Sequence, residues 1–294
     1  MDRSPPLRIA TRGSELAQWQ ARSIAAALSL ADPAVRVELV VISTEGDRRH
    51  DVPLQQIGGK GVFVKEVQAA VLDGRADLAV HSAKDLPAET PDGLVIAAVP
   101  ERADARDALV GDRLADLRPG AIVATGAPRR RAQLEALRPD LVFAELRGNI
   151  DTRLAKAHEF DAIVMAMAAL VRLDRHPEIV DPLGVDEMVP QVGQGALAIE
   201  CRADDLAVRR ALASIEHAPS RQVVDAERSF LLRLGGDCDL PAGAHATLGE
   251  RGLIVLDAVL AVEPGRPLRR ITTSGNDPRE VGESAAAALL VAGS

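Results

Sequence analysis

The chain has 294 residues, which at roughly 150 per domain suggests two or three domains. Hydrophobic residues make up 47% and charged residues 27%, the balance of an ordinary globular protein. A net charge of −8 and an aromatic content of 2%, with no Tyr, argue against nucleic acid and anionic membrane as partners, since these need basic patches or stacking platforms.

In chain order, a strand is predicted at 7–11, turning at Arg12-Gly13-Ser14 into a helix with Leu16, Ile24 and Leu28 on one face. The nearly continuous apolar, β-branched run 35–42 predicts a strand buried on both faces. A polar loop from 43 and the stretch Gly58-Gly59-Lys60-Gly61 precede a helix over about 62–72, which Asp73-Gly74 stops. The strand 76–81 then runs into Ser82-Ala83-Lys84-Asp85-Leu86-Pro87. After about residue 104 the pattern restarts. A strand at 121–125 is followed by the turn Gly126-Ala127-Pro128 and a helix at 129–137. A strand at 141–146, the turn Gly148-Asn149 and a helix at 151–157 come next, then a strand at 162–166 and a short helix ending near Arg172. Repeated strand–turn–helix units predict an α/β fold with parallel sheets, whose ligands bind beyond the carboxyl ends of the strands.

Val192-Gly193-Gln194-Gly195 leads into a strand at 196–201, placed to return to the first domain. Residues near 100 and 193 would then be paired crossings. From about 218 the character changes to a helix at 223–234, a glycine loop holding Cys238, strand candidates at 244–248, 253–262 and 268–273, and an alanine-rich helix. Three domains are expected: 1–100 with 194–214, 104–191, and a small α+β domain at 218–294.

No apolar run reaches the roughly 18 residues of a membrane span, and Met1-Asp2-Arg3-Ser4-Pro5-Pro6 does not read as a signal peptide, so a cytoplasmic protein is expected. Two cysteines, Cys201 and Cys238, and six scattered histidines make neither a disulfide framework nor a metal-ligand motif; no metal is expected. Cys201 and His81 read as packed core residues. Basic side chains gather where strands feed helices: Arg12 with Ser14, then Arg129, Arg130 and Arg131, then Arg147 and Arg153. Helix N-termini favour anions, and guanidinium forks match carboxylates in two-point geometry, so a small polyanion is the expected ligand. Asp85, just past a buried strand, reads equally as a turn cap or as a carboxylate that stabilises a cation and moves protons. Gly58-Gly59-Lys60-Gly61 lacks the spacing of a phosphate-binding loop.

Several ordered motifs together resemble the porphobilinogen deaminase (hydroxymethylbilane synthase) family over nearly the whole chain. They include Thr11-Arg12-Gly13-Ser14 with Gln20, the run from Gly58 to Glu66, and Asp77-Leu78-Ala79-Val80-His81-Ser82-Ala83-Lys84-Asp85-Leu86-Pro87. Arg129-Arg130 with Gln133-Leu134, Leu146-Arg147-Gly148-Asn149 with Thr152-Arg153-Leu154, and Arg172 follow. Val192-Gly193-Gln194-Gly195-Ala196, Ile199-Glu200-Cys201-Arg202, Glu227-Arg228, Phe230-Leu231, Cys238 and Pro241 complete the set.

The resemblance implies two domains like those of periplasmic binding proteins around a cleft, plus the small third domain. It implies that four porphobilinogen molecules condense, with loss of ammonia, into hydroxymethylbilane. A dipyrromethane cofactor would be held by a thioether to Cys238. Asp85 and Lys84 would be catalytic; Lys84, Asp85, Arg129, Arg130, Thr125, Ser82 and Gly148 would hold the cofactor. Arg12, Ser14, Gln20, Lys60, Phe63, Arg147, Asn149, Arg153, Arg172 and Gln194 would bind substrate. The partner is porphobilinogen alone, and the enzyme is expected to be a monomer. The sequence departs from the family at Gly126-Ala127, where two serines are usual, at Pro128, at Ala169, where Gly is common, and at Asp237 and Asp239 beside Cys238. Flanking carboxylates disfavour a thiolate and would slow cofactor loading. A carboxylate-binding protein without catalysis is the alternative reading.

Overall fold

The computed structural model describes residues 5–43, 64–235, 240–261 and 268–291. Lys60, Phe63 and Cys238, with the glycine stretch at 58–61, lie outside the described residues. The chain divides into two units: Met1–Arg102 with Ala196–Arg221, and Ala103–Gly195 with Gln222–Ser294.

In the first unit the strands are β1 (Leu7–Arg12), β2 (Val37–Ile42), β3 (Leu78–Ser82), β4 (Leu94–Ala98) and β10 (Leu197–Arg202), and the helices α1 (Glu15–Ala31), α2 (Lys65–Leu72) and α6 (Leu206–Ala213). They form a five-stranded sheet in the order β2-β1-β3-β10-β4. Alternate residues of the central strands face opposite ways. Ile9, Leu78, Val80 and Ile199 pack with Ile24 and Leu28 of α1 and Val208 and Leu212 of α6. Ala10 and Ala79 belong to a second cluster with Val67 and Val71 of α2. The Ser14 hydroxyl starts α1 by accepting the Ala17 N–H at 3.3 Å, which satisfies one of the helix's free donors.

Two expectations are corrected here. β2 is an edge strand, and it exposes Glu38 and Val41 rather than burying both faces. The sheet is mixed, since β10 runs antiparallel to both β3 and β4. A strand arriving after a long excursion through residues 103–195 is under no βαβ constraint, so it can pair in either direction.

The second unit holds β5 (Asp107–Val110), β6 (Ile122–Ala124), β7 (Val142–Ala144), β8 (Ala162–Ala166) and β9 (Val180–Pro182), with helices α3 (Pro128–Leu137), α4 (Ile150–Ala155) and α5 (Met167–Arg172). Its sheet runs β7-β6-β8-β5-β9, with β6 parallel to β7 and β8, and β5 antiparallel to β8 and β9. The topology of the first sheet is thus repeated, with β5 in the place of β10, although the two sequences share no repeat. Leu109, Val123, Leu134 and Val164 form its core. In the same unit α7 (Ala218–Arg233), which belongs to it from Gln222 on, and α8 (Pro278–Val291) accompany an antiparallel sheet of β11 (Ala242–Leu248), β12 (Ile254–Leu260) and β13 (Arg269–Gly275). Strands β4, β5 and β9 and helix α6 had no counterpart in the sequence reading.

Candidate active site

In the first unit the carboxyl ends of two adjacent parallel strands gather the polar groups. β1 ends at Arg12 and β3 at Ser82, with Ala10 paired to Ala79. Beyond β3 the chain makes a single 3-10 turn, Ala83–Asp85. The turn is pinned by the Ala83 N–H donating to the Ala196 carbonyl at 3.0 Å, and closed by the Leu86 N–H donating to Ala83 at 3.3 Å. Asp85 is exposed at the tip of this turn, while Lys84 and Arg12 are half-buried and Gln20 is buried within α1. Arg12, Ser14, Ser82, Lys84 and Asp85 therefore share one end of the first sheet.

In the second unit Thr125 follows β6, and its hydroxyl accepts the Ala127 N–H at 3.2 Å. Gly126-Ala127 supply no hydroxyl there, and α3 begins without a side-chain cap, with Pro128 in its first turn. Arg129 and Arg130 of α3 are 4% and 6% exposed, and both converge on Asp107, which is fully buried at the start of β5. Asp107 accepts Arg129 Nη2 at 2.7 Å, Arg130 Nε at 3.1 Å and Nη2 at 2.7 Å, and Gln194 Nε2 at 2.8 Å. The same guanidiniums donate to the Val189 and Val164 carbonyls at 2.6 and 3.0 Å. Burial alone would push the Asp107 carboxyl up, but the two guanidiniums and the Gln194 amide outweigh it and hold it well below the usual carboxylate range. Within this cluster two cations share one anion, so a net positive charge is left.

Asp107 is the residue that the sequence reading missed. Its only advance signal was an acid opening a short apolar run, a pattern too common to single out.

The turn from β7 to α4 collects four of the expected residues. Gly148 has a φ of +118°, a conformation L side chains rarely adopt, and a Cβ there would meet Thr152 at 2.7 Å. Asn149 caps α4 by accepting the Thr152 N–H at 2.8 Å. Arg153 is half-buried and its Nε donates to the Gly148 carbonyl at 2.8 Å. Arg147 is exposed, 3.8 Å from Glu145. Arg172, 8% exposed at the end of α5, donates to the Gly195 carbonyl at 2.7 Å. Burial lowers its pKa to about 10, so it stays charged at neutral pH. Cys201 is fully buried, and burial first, with Asp205 adding to it, pushes its thiol up to about 11. That keeps it protonated and unreactive.

Comparison with known proteins shows the family. Residues 7–210 match the family model for the dipyromethane cofactor binding domain of porphobilinogen deaminase, and residues 222–291 that for its C-terminal domain. The chain is 46% identical to a porphobilinogen deaminase of Brevibacillus brevis over 97% of this chain and 94% of that protein. It is 47% identical to one of Nitratidesulfovibrio vulgaris over 98% of this chain and 94% of that protein. Among solved structures, the periplasmic VFT2 domain of BvgS from Bordetella pertussis aligns with 76% of this chain and 92% of its own, at 13% identity and a TM-score of 0.42. The chain belongs to the porphobilinogen deaminase family.

Proposed function

We infer that this protein is a transferase that condenses four porphobilinogen molecules, releasing ammonia, into the linear tetrapyrrole hydroxymethylbilane. The observation that carries the reading is Asp85, an exposed carboxylate held on a pinned turn at the carboxyl end of β3, in a chain that matches the family over both its parts.

The cofactor is dipyrromethane, and we assign its thioether to Cys238. The acetate and propionate arms of pyrroles need cationic partners, and the Asp107 cluster, with its surplus positive charge among the described residues, has the donor chemistry for such a group. When bound, the cofactor supplies the primer pyrrole whose free α-carbon receives the first incoming methylene. Arg129 and Arg130 present the residual charge of their cluster, Thr125, Ser82, Gly148 and Lys84 add polar contacts, and the cofactor is thereby oriented.

Substrate carboxylates are assigned to Arg12, Arg147, Arg153 and Arg172, with Ser14, Gln20, Lys60, Phe63, Asn149 and Gln194 completing the contacts. In each cycle the aminomethyl C–N bond of porphobilinogen breaks and ammonia leaves. Asp85 stabilises the resulting azafulvenium cation by accepting its pyrrole N–H. After the new C–C bond forms, the same carboxylate accepts the displaced ring proton. A carboxylate-binding protein without catalysis would give Asp85 and Cys238 nothing to do.

We place the enzyme in the cytoplasm as a monomer with porphobilinogen as its sole partner; among the described residues no helix is long and apolar enough to cross a membrane. Intact-protein mass spectrometry before and after porphobilinogen tests the reading. A resident adduct of about two pyrrole units, followed by further substrate-sized increments, is expected. An unmodified chain that leaves porphobilinogen unconsumed would overturn it.

A further inference from the structure

On the face of the first sheet under α2, Ala10 and Ala79 cluster with Val67, Ala70 and Val71 of the helix. Three polar side chains are set into this apolar layer. Glu200 of β10, 1% exposed, accepts the Gln68 amide of α2 on both oxygens, at 3.2 and 2.9 Å. His81 of β3 brings Nε2 to 3.1 Å from Glu200 Oε2, at an angle that falls outside hydrogen-bond geometry. The register accounts for the meeting. Glu200 lies opposite Ala79 and Ala198 opposite His81, so Glu200 and His81 are diagonal neighbours on one face.

Stability gives no reason for this arrangement. Burying polar groups is costly, and well-packed apolar side chains of similar volume serve a fold as well or better. The cluster's place in the chain supplies another reason. His81 is followed by Ser82 and then by the turn that ends in Asp85. β10 and the residue just before it thus grip the outgoing chain on both sides of Ser82: Glu200 meets the His81 side chain, and the Ala196 carbonyl takes the Ala83 N–H at 3.0 Å.

We propose that Glu200, together with His81 and Gln68, is a positioning residue that sets the direction in which the Asp85 turn leaves β3, and so acts on turnover without touching substrate. This rests on the role given to Asp85 above. The test compares Glu200→Gln, Glu200→Asp and Gln68→Leu with the wild type in steady-state kinetics, thermal unfolding and intact mass. A displacement of about 1 Å at a reacting group can cost about 100-fold. Glu200→Gln, the same shape with an amide in place of the carboxyl group, is therefore expected to lower kcat about tenfold, with KM held within about twofold. The cofactor mass stays in place, and Glu200→Asp recovers part of the loss.

A folded, cofactor-loaded Glu200→Gln enzyme with wild-type kcat overturns the proposal. So does a kcat loss that only follows a loss of folded protein. If Glu200→Gln does not fold, Gln68→Leu, which removes one donor and keeps the carboxylate, decides by the same kcat criterion. A wild type that leaves porphobilinogen unconsumed removes the reading of Asp85 and this proposal together, whereas an active wild type beside an equally active Glu200→Gln removes only the positioning role.

Discussion

Asp107 and Arg130 form a two-point pair inside the second unit: one carboxylate oxygen accepts Nε at 3.1 Å and Nη2 at 2.7 Å, with the aspartate wholly shielded from water. Arg129 takes the other oxygen at 2.7 Å. Removing one partner of a buried ion cluster strands the rest, and Asp107→Asn leaves two guanidiniums facing a neutral amide. We expect a loss of about 3–5 kcal/mol, measured by chemical denaturation. The pH dependence carries the sign. The native Asp107 carboxyl ionises below an unfolded aspartate's value of about 3.9, so its contribution is complete above that value and drains away as the pH falls through its native ionisation range. Asp107→Asn should therefore show a shallower acid-side fall in stability; an acid slope identical to that of the wild type would refute the pairing.

Asp85 sits exposed on a turn whose fold depends on backbone hydrogen bonds. Asp85→Ala should unfold within about 0.5 kcal/mol of the wild type, as exposed substitutions usually do, and keep the cofactor mass. Porphobilinogen consumption should nearly vanish. Near-normal turnover would take Asp85 out of the mechanism.

Arg147 and Arg153 flank the Gly148-Asn149 turn, one exposed and one half-buried. With fewer guanidiniums to balance a chain that gains carboxylates at each step, Arg147→Ala and Arg153→Ala should stall elongation. Mass spectra during turnover should show enzyme–substrate adducts accumulating. Product kinetics like those of the wild type in both variants would contradict this.

Gly195 combines a φ of +84° with a Cβ position 2.4 Å from the Ala103 carbonyl oxygen and 3.0 Å from that of Asp104. Its own carbonyl receives the Ala103 N–H at 3.1 Å and the Arg172 guanidinium at 2.7 Å. Gly195→Ala must both adopt a disfavoured backbone and push two carbonyls aside. The strained backbone alone costs on the order of 1–3 kcal/mol, and a urea midpoint unchanged from the wild type would show that the turn relaxes freely.

Much of this protein was legible locally. The β1–α1 and β8–α5 units and the β3 strand running into Asp85 stand out as short apolar runs bounded by turn residues, because side-chain period and turn chemistry act over a few neighbours. Short or interrupted elements escaped that reading: β5 has four residues and β9 has three, one of them proline. Cys238 and the basic groups at strand ends were also visible as residue types in a pattern. Strand direction was not. β5 and β10 turned out antiparallel, and β2 an edge, because a strand's neighbours are chosen by partners far away in the chain.

The same holds for charge. Arg129 and Arg130 announced a cationic site, but nothing local marked Asp107 as the acid that would take them, or joined Gln68 to Glu200 across 132 residues. Residue order alone determined the longer, strongly patterned elements and which chemical groups are present. Tertiary structure alone decided which charges meet out of water, because burial and pairing belong to surfaces that exist only once distant segments have closed on one another.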